Sequence, residues 1–383
     1  MKKFLFFAAI ATLMIAGCTK NESGNGPEIS FQIARYSTSY SAQTKADPAD
    51  YKDNYLSVPF GAYAWYKGVS TADNTTFMTN QKVSYNSAQN VWKPEGSTYY
   101  WPKTGSIDFI CYAPYTADGS AAPAPAISEN SIAYADWDVA AHPDVDVMYA
   151  DKAPGMSNNV TTYYYNGVPT LFHHALARVS FRIRAAYLEK TDPDTNTKTR
   201  WEVTVNSIGV GNVFTKGSLD LSLNADGKSW DKPADNIWVH STNPADKTDI
   251  SLDVSAIGSV LTTGITDLNA GILVLPQDLT EGQVLNMNLT IKTYRDINDG
   301  NGEKLVLTET AVPVSTNISG GTLTKWGMNK NIIYTFILAP SKATGTGVDN
   351  DGDGIEDLDP TIIELDPAVS GWEDVTVDAT INI

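Results

Sequence analysis

Carboxylates at Asp349, Asp351 and Asp353, two residues apart and followed by Gly354, are the groups in this 383-residue chain best spaced for chemistry. Hard oxygens at that spacing can converge on one cation, and the glycine permits the sharp turn such a loop needs. Ile355 could add its carbonyl and Asp357 a further carboxylate. The position where a helical calcium loop carries its bidentate Glu is Pro360. The run therefore predicts a non-helical loop folded by a structural calcium ion; the other reading is a solvated acidic loop. The stretch Asp296 to Glu303 has a similar composition, but a hairpin turn explains it better.

The second reactive group is the thiol of Cys18. Lys2 and Lys3 precede an apolar run from Phe4 to Ile15, which ends in Ile15-Ala16-Gly17-Cys18. A basic n-region, a short h-region and small residues at the cut make a secretory signal. With a cysteine behind the small residues, the pattern is that of a bacterial lipobox, in which Cys18 is acylated and the chain is cleaved in front of it. The alternative is an ordinary signal peptide with a coincidental cysteine. The apolar run falls short of the about 20 residues a spanning helix needs. Residues 1–17 read as signal peptide and 18–28 as lipidated cysteine and polar tether. Thr19 points to an outer-membrane or surface address.

Catalytic arrangements are poorly represented. His173 and His174 are adjacent at the start of a strand, so they face opposite ways and suit neither a dyad nor a shared metal. His142 and His240 are isolated. There is no G-x-S-x-G elbow, no H-E-x-x-H and no glycine-rich phosphate loop. The other cysteine, Cys111, lies in an apolar alternating segment and reads as a small core residue. No catalytic residue and no organic cofactor is expected. The formal charge of −17 repels phosphates and excludes nucleic acid as a ready partner. Nineteen Tyr and nine Trp fit an exported β protein and a sugar binder equally well.

The elements that must carry these groups are strands. Short runs with period-two alternation are bounded by Gly, Pro, Asn and Asp, and helical periodicity is hard to find after the signal. Ile107, Phe109 and Cys111 share one face of a strand. From Ala177 to Arg184, Val179, Phe181 and Ile183 point one way and Arg178, Arg182 and Arg184 the other, giving one dry and one wet face. Lys82 to Trp92 reads as a hairpin. The polar run from Thr191 to Arg200 is either a domain boundary or a long hairpin tip. A similar texture continues after it, so two sandwiches are expected, over residues 29–190 and 191–383. The chain closes on Val375, Val377, Ala379, Ile381 and Ile383, alternating to the last residue.

Several short motifs occur in order along the chain. They are the lipobox; Ile29-Ser30-Phe31 with Thr44-Lys45-Ala46; Tyr100-Trp101-Pro102 with Ile107-Asp108-Phe109 and Tyr112-Ala113-Pro114; His174-Ala175-Leu176-Ala177-Arg178-Val179; Trp326-Gly327-Met328-Asn329-Lys330-Asn331; and Val369-Ser370-Gly371-Trp372. In these the chain resembles the fimbrillin family, the Mfa-like group of type V pilus subunits from anaerobic gram-negative bacteria. The resemblance implies an all-β fold of two tandem transthyretin-like β-sandwich domains, export as a lipoprotein, and removal of the first strand by a surface maturation protease. A strand of the next subunit then fills the groove.

On this resemblance Ile29, Phe31 and Ile33 would belong to the strand removed. A protease specific for arginine would cut after Arg35, whereas Lys45 occupies the motif position. Val375, Val377, Ala379, Ile381 and Ile383 form either a donor strand or the last strand of the second sandwich. The acidic run before them lies outside the family pattern. The expected role is a structural or adhesive pilus subunit, with other subunits, a host or bacterial surface ligand, and the outer membrane (through the lipid anchor) as partners. Two other classes stay open: a monomeric glycan-binding surface lipoprotein and a calcium-dependent hydrolase.

Overall fold

The computed structural model describes residues 28–33 and 58–340, and the strand backbones of 363–371 and 379–380, with internal breaks at 90, 118–119, 121, 158–166, 234–236, 242, 244–245, 269–270, 280–281, 298–299 and 320–322. Within these limits the protein is all-β, with two short 3₁₀ turns at Thr71–Asp73 and Ser255–Ile257.

The first sheet has nine strands. Its order is Val168–Thr170, Phe31–Ile33, Val91–Pro94, Thr75–Asn86, Phe60–Lys67, Ser106–Ala113, Met148–Ala150 and Phe172–His174, with Ala153–Met156 also on Ser106–Ala113. The two end strands are separated in the chain by Leu171 alone, so the sheet curls until its ends meet there. Ile107, Phe109 and Cys111 point into the curl, against Phe60, Val83 and Trp92. Ile110, from the opposite face of the same strand, packs with Trp65 and Tyr149 against the second sheet.

That second sheet joins Ser131–Asp138 to Lys216–Leu223, with Ala126–Ser128, Trp230–Asp231 and Val239–His240 at its margins. Gln277–Asp278 and Lys325–Trp326 pair as a separate two-stranded sheet, and the other strands form a two-layer sandwich. One layer sets Ala177–Ala185 parallel to Asn331–Pro340, which pairs in turn with Ile363–Gly371. The other is the antiparallel run of Lys198–Phe214, Val284–Asp296 and Lys304–Asn317. Burial alternates without a break over Ala177–Ala185, as its wet and dry faces require. Phe181 stacks on Tyr334 and Phe336 at 5.4 and 5.8 Å.

The polar run after residue 190 is a hairpin tip. Glu189–Thr191 pairs with the start of Lys198–Phe214, and Asn196 takes the left-handed conformation that asparagine tolerates. Pairing crosses the expected 190/191 border: Ser131–Asp138 pairs with Lys216–Leu223, and Ala177–Ala185 pairs with Asn331–Pro340, Ile272–Val274 and Thr266–Asp267. Asp296 to Glu303 bridges Val284–Asp296 and Lys304–Asn317, so it too is a hairpin connection. Lys82 to Trp92 is a third, with Tyr85 opposite Trp92.

Burial pushes the hydroxyls of Tyr112, Tyr134, Tyr149 and Tyr334 above the ordinary phenol range. The folded chain therefore keeps protons that the unfolded chain loses. The stabilising contribution of these groups is complete below pH of about 10 and is lost as the pH rises through the alkaline range. In an ultraviolet titration these four tyrosines should ionise only together with loss of the near-ultraviolet circular dichroism.

Candidate functional site

The leading strand, Phe31–Ile33, is three residues long and nevertheless sits inside a sheet. On one side it runs parallel to Val168–Thr170, with Phe31 opposite Val168 and Ile33 opposite Thr170. On the other, Phe31 faces Trp92 in antiparallel register. The Ile29 amide donates to the Tyr99 carbonyl at 2.8 Å, and the Val168 amide to the Ser30 carbonyl at 2.7 Å. Glu28 bridges to Tyr100 and pairs with Lys93 at 2.5 Å.

Alternation aims Ile29 and Phe31 into the curl, where both are buried, while Ser30 stays half-buried. The Phe31 ring meets Phe60 at 5.5 Å and Phe109 at 5.6 Å, edge to face in both cases. Phe60 in turn contacts Trp92 and Phe172, each at 5.4 Å. Rings packed this way contribute beyond the area they bury. The leading strand is therefore a plug: its side chains complete the aromatic centre of the first core, and its backbone closes the sheet between two ladders.

Gly167 makes the close approach possible. Its φ is +125°, and a Cβ there would lie 2.5 Å from the Ser30 carbonyl oxygen, which is backbone and cannot swing away. Gly167→Ala should loosen the leading strand by about 2 kcal/mol or more, from the conformational strain alone. Hydrogen exchange checks this: the Val168 amide should lose protection while amides in Ala177–Ala185 keep theirs.

Cys111 is buried and free, and burial raises its thiol pKa, which suits a core residue and not a nucleophile. The histidines are taken up structurally. His173 Nε2 meets Asp151 at 3.1 Å and His174 Nδ1 meets Asp146 at 2.8 Å, on opposite faces. His142 packs against Trp137 at 5.1 Å with the rings tilted, and His240 stacks on Phe214 at 3.9 Å. Trp92, Trp137, Trp201, Trp230, Trp238 and Trp326 are buried, and Trp65 and Trp101 half-buried. A glycan platform would need such rings on the surface. Among the described residues no group of His, Cys, Asp and Glu is placed to hold a metal ion.

Cys18, Arg35, Lys45, Val375, Val377, Ile381 and Ile383 lie outside the described residues, as do Asp349, Asp351, Asp353, Ile355 and Asp357. The acidic run connects two paired strands, Asn331–Pro340 and Ile363–Gly371, with Pro340 opposite Ile363. Ala379–Thr380 lies on the outer edge of Ile363–Gly371. Sequence reasoning did not find Gly167 or its neighbour Val168–Thr170, because three residues are too few for a period to show.

The family model described as fimbrillin-like matches residues 44–362 of the chain. A comparison with curated proteins returns no match. Among solved structures, a candidate cell adhesion protein from Bacteroides uniformis is similar at 16% identity, with 90% of this chain and 98% of that one covered and a TM-score of 0.43. The tip fimbrial protein Mfa3 from Porphyromonas gingivalis, with a C-terminal truncation, is similar at 10% identity, with coverage of 90% and 100% and a TM-score of 0.35. The fimbrial anchor protein Mfa2 from the same organism is similar at 11% identity, with coverage of 90% and 98% and a TM-score of 0.29. With the family model matched over most of its length, the chain belongs to the fimbrillin-like family, a family of fimbrial structural and adhesion subunits and not of enzymes.

Proposed function

We propose that the protein is a pilus subunit made as a lipid-anchored precursor on Cys18 and assembled by exchange of its leading strand. A surface protease cutting after Arg35 or Lys45 releases Phe31–Ile33, and a strand of the next subunit enters the slot. Main-chain hydrogen bonds to Val168–Thr170 and Val91–Pro94 would hold it, and its alternate side chains would refill the positions of Ile29 and Phe31. Such a join is head-to-tail and grows an open filament. The observation that carries this reading is the leading strand itself, at once buried, doubly paired and close to the two basic cleavage candidates in the chain.

The terminal run containing Val375, Val377, Ala379, Ile381 and Ile383 has the alternation a donor needs. For that use Ala379–Thr380 must leave the edge it occupies on Ile363–Gly371. The spacing of Asp349, Asp351, Asp353, Ile355 and Asp357 supports a structural calcium ion in the connection that precedes that strand. Calcium should then raise the melting temperature and a chelator should reverse the effect.

The deciding experiment is the N-terminal residue of the protein taken from the cell surface. A start at Tyr36 or Ala46 means that the slot has been opened for polymerisation. Acylated Cys18 as the start of all the material overturns strand exchange through this slot.

A further inference from the structure

We propose that Lys152 and Asp108 become joined by an amide bond that the folded protein forms itself, with Glu129 carrying the protons. Lys152 comes just after Met148–Ala150 and its side chain is 4% exposed. Its Nζ lies 3.0 Å from Asp108 Oδ2, 3.1 Å from the backbone carbonyl of Glu129 and 4.0 Å from the Glu129 carboxylate. Asp108 is buried in Ser106–Ala113, and its other oxygen, Oδ1, accepts the Gly155 amide at 2.7 Å. Glu129 is held in the turn between Ala126–Ser128 and Ser131–Asp138 by an ion pair to Lys67. Nucleophile, electrophile and proton carrier thus come from three separate parts of the chain and meet where the first two sheets pack together.

The step needs no other reactant. The ammonium of Lys152 gives a proton to the Glu129 carboxylate, and the freed lone pair forms the N–C bond at Cγ of Asp108. The Gly155 amide stabilises the charge that develops on Oδ1, the oxygen that stays. Glu129 returns its proton to Oδ2, a second proton moves from the nitrogen by the same route, the C–O bond breaks and water leaves. One ammonium and one carboxylate have become one neutral amide and one water. Fixed proximity replaces a bimolecular encounter. The driving force is desolvation: a buried ion pair keeps two charges out of water at a cost the attraction need not repay, and the amide carries neither charge. Among the described residues the only cysteine is free, so this bond would be a covalent brace where the first two sheets meet.

Trypsin reads the bond directly. No Lys or Arg lies between Lys103 and Lys152, and the next after Lys152 is Arg178. The full-length protein, denatured and digested, should resist cleavage after Lys152 and yield residues 104–178 as one fragment, one water lighter than its sequence. Release of residues 104–152 at full mass would show an ordinary ion pair and overturn the proposal. Glu129→Gln should restore cleavage after Lys152 with the near-ultraviolet circular dichroism unchanged. A folded Glu129→Gln variant that keeps the bond would overturn the role given to Glu129. Neither readout depends on pilus assembly, so the inference stands or falls apart from the function proposed above.

Discussion

Phe31→Ala should destabilise the protein by about 3–5 kcal/mol, the range for emptying a buried aromatic site that cannot collapse. Collapse is difficult here because the neighbours are rings fixed by one another. Phe60 is wedged against Trp92 and Phe172, and Phe109 against Trp101. Phe31→Leu keeps most of the volume and should lose under about 1.5 kcal/mol. Urea unfolding measures both, and the order Leu before Ala is the informative result. A Phe31→Ala midpoint equal to that of the unchanged protein would mean that the leading strand is not docked. The same geometry sets a requirement on any strand that enters the slot: it must bring a large apolar side chain to the Phe31 position, or leave a cavity among five rings.

How far the sequence foretold this arrangement depends on the range of the interaction. The strand over Ala177–Ala185 is legible because one face is dry and the other wet, and that contrast is written at every second residue. The hairpins at Lys82–Trp92 and after Thr191 are legible because turn chemistry is local. The packing of one sheet on another is not local, and it leaves no such signal. Period two says that a residue faces a core without saying which one. Ile110 and Phe109 are adjacent and both buried, yet they belong to different cores on opposite sides of one sheet. The partnership of Asp108 with Lys152 depends on strands far apart in the chain pairing within one sheet, as does the slot around Phe31, whose far wall is a three-residue strand behind Gly167.

The motifs at 174–179 and 326–331 show local signals fused by a distant contact, and they carry the second large prediction. The Arg178 amide donates to the Lys330 carbonyl at 2.8 Å and the Asn329 amide to the Leu176 carbonyl at 3.1 Å, with Asn329 in the left-handed conformation. These bonds start the parallel ladder that runs from Arg178 opposite Asn331 to Ala185 opposite Leu338. Trp326 sits beneath it, fully buried, its Nε1 donating to the Tyr334 hydroxyl at 3.0 Å. Its short strand is held through Gln277, whose Nε2 donates to the Phe214 carbonyl and whose Oε1 accepts the Phe214 amide, each at 3.0 Å.

Trp326→Ala should therefore remove about 3–5 kcal/mol by emptying a fully buried indole site beneath the ladder. Tyr334→Phe should remove about 1–3 kcal/mol, because the indole N–H then stays buried without its acceptor. Trp326→Phe strands the Tyr334 hydroxyl in the same way. With both changes made, neither polar group is left to strand. The double variant should fall short of the sum of the two single losses by about 0.5–3 kcal/mol in chemical denaturation. Simple additivity would mean that the bond contributes nothing, and that packing alone ties the two motifs together.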